Sequence, residues 1–277
     1  MHVFDPARYP YAAGRRYTPP SATVDDLVAM HRKLGIERAV LVQPSVYGTD
    51  NRCLVAALQR LRGRARGIAV IGASDDRTRL QQLHASGVRG VRLNLQVAHQ
   101  RDTLAIRHRI LHLSEQLSDL PWLIQLYAGL EVIAGVADTL AGLPQCVLID
   151  HFGMARASAG VEQNGFRELL ALAARPNVHV KLSGPYQIST RGPHYCDVAA
   201  IAHSLFEVAP DRTVWGSDWP HPGGSQRPAD ADPLAIEPFR QEDDRRTLGL
   251  LGEWLPAVGS RRRVLVDNPA RLFGFDD

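Results

Sequence analysis

The sequence predicts a single (β/α)8 barrel of the α/β class, with its active site at the carboxyl ends of the strands. Short apolar, β-branched runs alternate along the chain with longer stretches of helical periodicity, which is typical of βα units around a parallel sheet. Eight such strands in a chain of 277 residues suit a barrel better than a doubly wound sheet, which usually has fewer strands. No internal repeat or long linker divides the sequence, so we expect one domain over residues 1–277.

The predicted elements follow from where these patterns begin and end. Strands are predicted at 2–4, 39–44, 65–71, 88–95, 122–127, 146–151, 178–183 and 213–218. Helices are predicted at 23–34, 51–61, 76–86, 103–118, 131–141, 161–174, 194–209 and 239–255. In the first helix, Thr23 and Asp26 have the spacing of a capping box, and Gly35 is a typical stop. The proline- and glycine-rich segments 5–20 and 220–238 are expected to be loops beside the active site.

Composition and charge exclude several classes of protein. The chain is 45% hydrophobic and 22% charged with a formal net charge of +3, which is typical of a globular protein and indicates no nucleic-acid partner. No run approaches the roughly 18 apolar residues of a membrane span, and the N-terminus lacks the pattern of a signal peptide. We therefore expect a cytoplasmic protein with no membrane partner. Cys53, Cys146 and Cys196 lie far apart, so the sequence supports neither a disulfide framework nor a thiolate zinc site.

Polar side chains lie at the carboxyl ends of the predicted strands, which in a barrel open into one shared bowl. The candidates are His2, Ser45, Arg92, Asn94, Gln125, Tyr127, His151, Lys181, Ser183, Asp218 and His221. An aspartate that faces histidines suits hydrolysis, because the carboxylate can take a proton from water while imidazole polarises a carbonyl. The same groups could instead ligate a divalent metal, and composition does not choose between these alternatives.

Several motifs, in order along the chain, are similar to those of one enzyme family. They include Gly87-Val88-Arg89-Gly90-Val91-Arg92-Leu93-Asn94, Ile149-Asp150-His151-Phe152-Gly153, Lys181-Leu182-Ser183-Gly184 and Trp215-Gly216-Ser217-Asp218-Trp219-Pro220-His221. On these motifs the chain resembles the amidohydrolase-related family, and most of all its branch of 2-pyrone-4,6-dicarboxylate lactonases. The resemblance extends over essentially the whole chain and implies a distorted (β/α)8 barrel.

The resemblance also implies a reaction and roles for particular residues. The reaction is hydrolysis of a lactone to a carboxylate, with Asp218 as the base that activates water and later protonates the leaving oxygen. His2 and His151 would polarise the carbonyl, and Arg92 would bind a substrate carboxylate. The remaining expected substrate contacts are Ser45, Tyr127, Lys181, Ser183 and Tyr17. The dicarboxylate lactonases act without a metal, whereas other members of the family hold zinc or manganese.

Two departures from the family pattern change these expectations. The first strand of the family carries two histidines in a His-x-His pattern, and here Met1 precedes His2, so we hypothesise that the native chain begins upstream. Met154, Gln187 and Ala98 stand where the dicarboxylate lactonases carry basic residues. Because each buried carboxylate needs charged hydrogen-bond donors, we expect a lactone with fewer carboxylates, a sugar lactone or a muconolactone-type ring.

Two other functions stay open from the sequence. One is a zinc-dependent amidohydrolase or decarboxylase in which His2, His151 and Asp218 ligate the metal, although the missing histidine removes one ligand. The other is a non-catalytic barrel that binds a small lactone or acid without turnover. In every case the expected partner is a small molecule, and the chain could also assemble as a homo-oligomer.

Overall fold

A computed structural model describes residues 1–98, 100–223, 227 and 230–275 of the chain. The backbone forms two compact units that alternate along the sequence. The first unit consists of Met1–Arg92 and Asp218–Asp244, and the second consists of Leu93–Ser217 and the chain from Arg245 onward. A single domain over residues 1–277 stays a prediction from the sequence.

Parallel strands in chain order confirm the predicted α/β class and barrel-type fold. Within the described residues the sheet has seven strands, and its order from β1 to β7 follows the sequence. The strands are β1 (Ala39–Val42), β2 (Ala65–Ala69), β3 (Val88–Asn94), β4 (Leu123–Tyr127), β5 (Val147–Ile149), β6 (Val178–Ser183) and β7 (Thr213–Gly216). The pairs β1–β2, β2–β3, β4–β5, β5–β6 and β6–β7 are parallel, as Ala39 with Ala65 and Ile149 with Val180 show. A sequential parallel order is the strand arrangement of a (β/α)8 barrel.

At least one helix separates each of these strands from the next along the chain. In the described residues they are α1 (Val24–Leu34), α2 (Arg52–Leu61), α3 (Arg77–Ala85), α4 (Thr103–Gln116), α5 (Leu130–Gly135), α6 (Ala137–Ala141), α7 (Phe166–Ala173), α8 (Ala199–Val208), α9 (Asp244–Trp254), α10 (Val258–Arg262) and α11 (Asn268–Phe273). At the start of α1, the Thr23 hydroxyl accepts a bond from the Asp26 amide, and the Asp26 carboxylate accepts one from the Thr23 amide. Gly35 ends the helix with a φ of 69°. Both predicted helix signals are therefore confirmed.

The predicted strand at residues 2–4 is wrong as a regular strand, although its backbone is hydrogen-bonded on both sides. The carbonyl of Met1 accepts a bond from the Val42 amide, and the His2 amide donates to the carbonyl of Trp219, each at 2.8 Å. Phe4 instead forms an isolated antiparallel bridge with Ala22. A strand needs several successive residues paired with one neighbour, and here the third residue of the segment already has a different partner.

Helix prediction was least accurate after β4. Residues 131–141 form α5 and α6, which are separated at Val136, where φ is −117°. The predicted helix at 161–174 begins only at Phe166, because Gly165 precedes it with a φ of 86°. After α9, the helix α10, a π-helical segment at Arg263–Asp267 and α11 follow one another. These elements were not predicted, since each is too short to show an apolar period.

Apolar side chains fill the interior of each unit. In the first unit, Leu54, Leu58 and Leu61 recur at helical spacing on the buried face of α2. In the second unit every residue of β5 is buried, and the Phe152 ring packs edge-on against Trp254 at 5.4 Å. Among the described residues, no helix is both long and apolar enough to cross a bilayer. Polar side chains that follow such buried strands are held on a rigid support.

Candidate active site

His2 and Asp218 form a buried couple in the first unit. Nδ1 of His2 lies 2.8 Å from the Val42 carbonyl oxygen, and because a carbonyl can only accept, we assign the ring proton to Nδ1. Nε2 then faces Oδ1 of Asp218 at 3.7 Å. The two residues are 5% and 6% exposed. Burial lowers the pKa of His2 to about 4, against the opposing effect of the bond to Asp218, so the imidazole is neutral near pH 7.

Asp218 is held in an unusual backbone conformation two residues after the end of β7. Its φ of 61° lies in the left-handed region, and His221 has a φ of 66°. The His221 amide donates to the Asp218 carbonyl at 2.8 Å and closes the turn, while the next residue, Trp219, accepts from the His2 amide. Left-handed conformations are rare for residues other than glycine and often mark functional sites. The chain therefore fixes this carboxylate by its backbone as well as by burial.

Arg92, Tyr17 and Ser45 lie in the same unit as this couple. The buried Arg92 guanidinium donates from Nη1 to the Gln43 carbonyl at 3.4 Å, and its charge acts on both His2 and Tyr17. Burial raises the pKa of Tyr17 to about 12, while a hydrogen bond with Ser45 and the charge of Arg92 act in the opposite direction. The phenol therefore stays protonated at neutral pH and can donate a hydrogen bond.

In the second unit, Lys181 makes a buried ion pair with Asp150. Nζ of Lys181 lies 2.5 Å from Oδ1 of Asp150, and the Gln125 amide donates to Oδ2 of the same carboxylate at 2.5 Å. The backbone amide of His151 also donates to Oδ1, at 3.1 Å. Beside this pair, a methyl group added to Gly216 would lie 3.3 Å from Cδ of Lys181. The absence of a side chain at this position gives the lysine stem its space.

His151 is fixed by contacts on both ring nitrogens. Its Nδ1 lies 3.1 Å from the Ser183 carbonyl oxygen and 3.0 Å from Ser183 Oγ. Its Nε2 lies 3.5 Å from Oδ1 of Asp150, and the ring packs edge-on against Tyr127 with 4.8 Å between centroids. Because the Ser183 carbonyl can only accept, Nδ1 carries the proton here as well.

The predicted site residues thus fall into two groups. The structure brings together His2, Tyr17, Ser45, Arg92 and Asp218 in the first unit, and Tyr127, His151, Lys181 and Ser183 in the second. The sequence did not predict that Asp150 pairs with Lys181, and Asp150 was noted only as the neighbour of His151. Two signals were available for it: Asp150 ends a wholly apolar strand, and Lys181 is one of just two lysines among 32 basic residues.

A metal site does not fit the donor atoms of the described residues. Among these residues, no group of three or more His, Cys, Asp or Glu side chains is arranged to hold a metal ion. A catalytic zinc takes three protein ligands, so we derive no step through a metal.

Comparisons with known proteins agree with this fold. The amidohydrolase family model matches residues 1–275, and the chain belongs to that family. It is 39% identical over 279 residues to a 4-sulfomuconolactone hydrolase of Rhizobium radiobacter, with 99% of this chain and 88% of that protein covered. It is 32% identical to a 2-pyrone-4,6-dicarboxylate hydrolase of Comamonas testosteroni, with 98% of this chain and 88% of that protein covered.

A solved structure confirms the fold. The crystal structure of a candidate 2-pyrone-4,6-dicarboxylic acid hydrolase from Pseudomonas putida matches with a TM-score of 0.82 at 31% identity. The match covers 100% of this chain and 96% of that one. The resemblance that the sequence motifs indicated is therefore confirmed at the level of the family and the fold.

Proposed function

We propose that this protein is a lactone hydrolase that opens a cyclic ester to a hydroxy or keto acid. The observation that carries the proposal is the buried couple of His2 and Asp218, with 3.7 Å between Nε2 and Oδ1. A fixed carboxylate beside an imidazole is suited to move a proton from water to a leaving oxygen. The named activities of the relatives at 39% and 32% identity support lactone opening.

In the proposed reaction, Asp218 acts first as a base and then as an acid. Its carboxylate takes a proton from a water molecule while the water oxygen bonds to the lactone carbonyl carbon. The tetrahedral intermediate then collapses, and the bond between that carbon and the ring oxygen breaks. Asp218 returns the proton to the ring oxygen, so one water is consumed and the carboxylate is unchanged. The product carries a new carboxylic acid and a hydroxyl group, or a ketone where the ring oxygen left as an enol.

His2 and His151 have the proposed role of stabilising the charge on the carbonyl oxygen. The neutral His2 carries its proton on Nδ1, so it can donate from Nε2 only after that atom gains a proton. After Asp218 has taken the proton from water, it can pass that one proton to Nε2 of His2 in the intermediate, and the proton returns to Asp218 before the ring oxygen leaves. His151 likewise has Nδ1 engaged and Nε2 beside a carboxylate, that of Asp150.

The buried charge of Arg92 supports the proposal that the substrate is an anion. It is buried in the same unit as the couple, together with the protonated hydroxyl of Tyr17 and its partner Ser45. One buried guanidinium matches one carboxylate or sulfonate, so we propose a muconolactone-type ring with fewer acidic groups than 2-pyrone-4,6-dicarboxylate. Tyr127, Lys181 and Ser183 stay proposed substrate contacts. Independence from metal, a cytoplasmic location and homo-oligomers also stay predictions.

Proton release from a panel of lactones tests this function. The panel contains muconolactone, 4-sulfomuconolactone, 2-pyrone-4,6-dicarboxylate and an uncharged five-membered lactone, each given to chelator-treated protein. We expect turnover of a monoanionic lactone, and a loss of about 100-fold or more in kcat for Asp218→Asn. Asp211→Asn is the matched control, since that side chain is exposed and lies just before β7.

The outcomes separate the competing functions. Equal rates for Asp218→Asn and the parent would remove Asp218 from the reaction. Activity that appears only when zinc is restored would favour the metal-dependent alternative. Tight binding without proton release would favour the non-catalytic alternative, and selective turnover of 2-pyrone-4,6-dicarboxylate would contradict the proposed substrate class.

A further inference from the structure

We propose that His221 and Asp244 are positioning residues that hold the Asp218 carboxylate in place for proton transfer. This inference rests on the proposed function, in which Asp218 is the base. The two residues contact each other in the first unit, where Nε2 of His221 lies 3.2 Å from Oδ1 of Asp244. Neither residue has a direct part in the reaction as proposed.

The turn that carries Asp218 needs to be held from outside. Both of its ends, Asp218 and His221, have left-handed φ values of 61° and 66°. Such conformations are unfavourable for residues with a Cβ atom and persist only when surrounding contacts determine them. A peptide with this sequence would therefore leave the conformation if those contacts were removed.

His221 supplies contacts of this kind through its backbone and its side chain. Its amide donates to the Asp218 carbonyl at 2.8 Å, and its own carbonyl accepts from the Arg240 amide at 3.0 Å. The imidazole is buried and lies against the Asp244 carboxylate, which is itself mostly buried. The side-chain contact thus fixes the residue whose amide closes the turn.

The position of the turn decides the distance on which the proposed chemistry depends. Nε2 of His2 and Oδ1 of Asp218 are 3.7 Å apart, and a shift of about 1 Å can lower the rate of a positioned reaction by about 100-fold. Arg92 is anchored separately, on the Gln43 carbonyl. Loosening the turn should therefore slow the chemical step and leave substrate affinity nearly unchanged.

The test compares Asp244→Ala with Asp244→Asn in the full chain. Alanine removes the contact, whereas asparagine keeps a polar side chain of the same size and shape beside Nε2 of His221. His221→Ala removes the same contact from the other side. The matched control is Glu207→Ala, which breaks a pair of the same chemistry, His203 with Glu207 at 3.1 Å, on an exposed helix surface. Each variant is measured for kcat and KM on the lactone that is turned over, and for amide hydrogen exchange in peptides spanning residues 213–222.

We expect Asp244→Ala and His221→Ala to lower kcat by about tenfold or more with little change in KM, as positioning effects do. Both should speed exchange at the His221 amide, while Asp244→Asn and Glu207→Ala stay close to the parent. Faster exchange with unchanged kcat, or a fall in kcat with unchanged exchange, would overturn the proposal. If no lactone is turned over, the proposed function fails. Unchanged exchange in that case overturns this inference too, whereas faster exchange shows that the pair holds the turn.

Discussion

Nζ of Lys181 lies 2.5 Å from Oδ1 of Asp150, and this ion pair is almost entirely inside the protein. The side chains are 13% and 1% exposed. Removing a charged pair from water is costly, and the remaining oxygen of Asp150 is satisfied by Gln125. Breaking such a pair from one side leaves an uncompensated charge in a dry environment. The stability of the second unit should therefore depend on both partners together.

Lys181→Met should lower the free energy of unfolding by about 3–5 kcal/mol, because the Asp150 carboxylate would stay buried without its cation. Denaturant unfolding followed by fluorescence measures this change. Lys33→Met is the matched control, since Lys33 is the other lysine and is exposed, and it should change stability by no more than about 0.5 kcal/mol. Similar values for the two variants would show that the ion pair contributes little.

Gly216→Ala should crowd the stem of Lys181. The added methyl group would lie 3.2 Å from Cβ of Ser183 and 3.3 Å from Cδ of Lys181, closer than comfortable packing allows. We expect a loss of about 1–3 kcal/mol in the free energy of unfolding, as for other overpacked interiors. Gly259→Ala in α10 is the control, because its methyl group would meet no atom within 4 Å. That variant should be neutral or slightly stabilising, and an equal loss in both would contradict the packing argument.

Arg92→Gln should raise KM for an anionic lactone by about 10- to 100-fold, the effect of losing a hydrogen bond to a charged group. Steady-state kinetics on paired substrates measure it. An uncharged lactone of the same ring size is the internal control, since it has no carboxylate for Arg92 to bind. A similar rise in KM for both substrates would show that Arg92 shapes the site and does not recognise charge.

Acid should destabilise the protein between about pH 6.5 and pH 4 through its buried histidines. Burial lowers the pKa of His179 to about 4, helped by the charges of Arg212 and Arg271. Below pH 6.5 the unfolded state therefore binds more protons than the folded state, so stability falls as pH falls through this range. The contribution of one such histidine is at most about 1.4 kcal/mol per pH unit.

His179→Gln should reduce this acid sensitivity, which unfolding curves at pH 7, 6, 5 and 4 would show. The sensitivity should not disappear, because burial also lowers the pKa values of His2 and His31 to about 4. His203→Gln is the control, since that side chain is exposed. An unchanged pH dependence in His179→Gln would show that folding does not shift the pKa of this imidazole.

The strands that carry the site could be predicted because local sequence determines them. In β3 and β6, valine and leucine recur between polar residues and the strand ends in a polar residue, and α1 has its start and stop signals within its own sequence. The failed prediction at residues 2–4 concerned a segment whose hydrogen bonds go to Val42 and Trp219, both far away in the sequence. Such pairing depends on tertiary structure that no local pattern records.

The sequence predicted where along the chain the site residues lie. It did not predict which of these residues contact each other. The motifs placed Asp218 and His151 at strand ends, yet they did not show that Lys181 binds Asp150. These two residues are 31 positions apart in sequence, and they meet because Ile149 pairs with Val180 in the sheet. The proton positions on His2 and His151 likewise depend on backbone carbonyls, Val42 and Ser183, that become neighbours only on folding.

The burial of Lys181 has a practical consequence for chemical labelling. Amine-reactive dyes and surfaces react with lysine side chains that are uncharged and accessible. The side chain of Lys181 is 13% exposed and bound to a carboxylate. Lys33, near the end of α1, is exposed and is the other lysine of the chain. Of the two lysines, Lys33 should therefore take up the fluorophore or linker in the folded protein, so that every attachment through a lysine is at the same place.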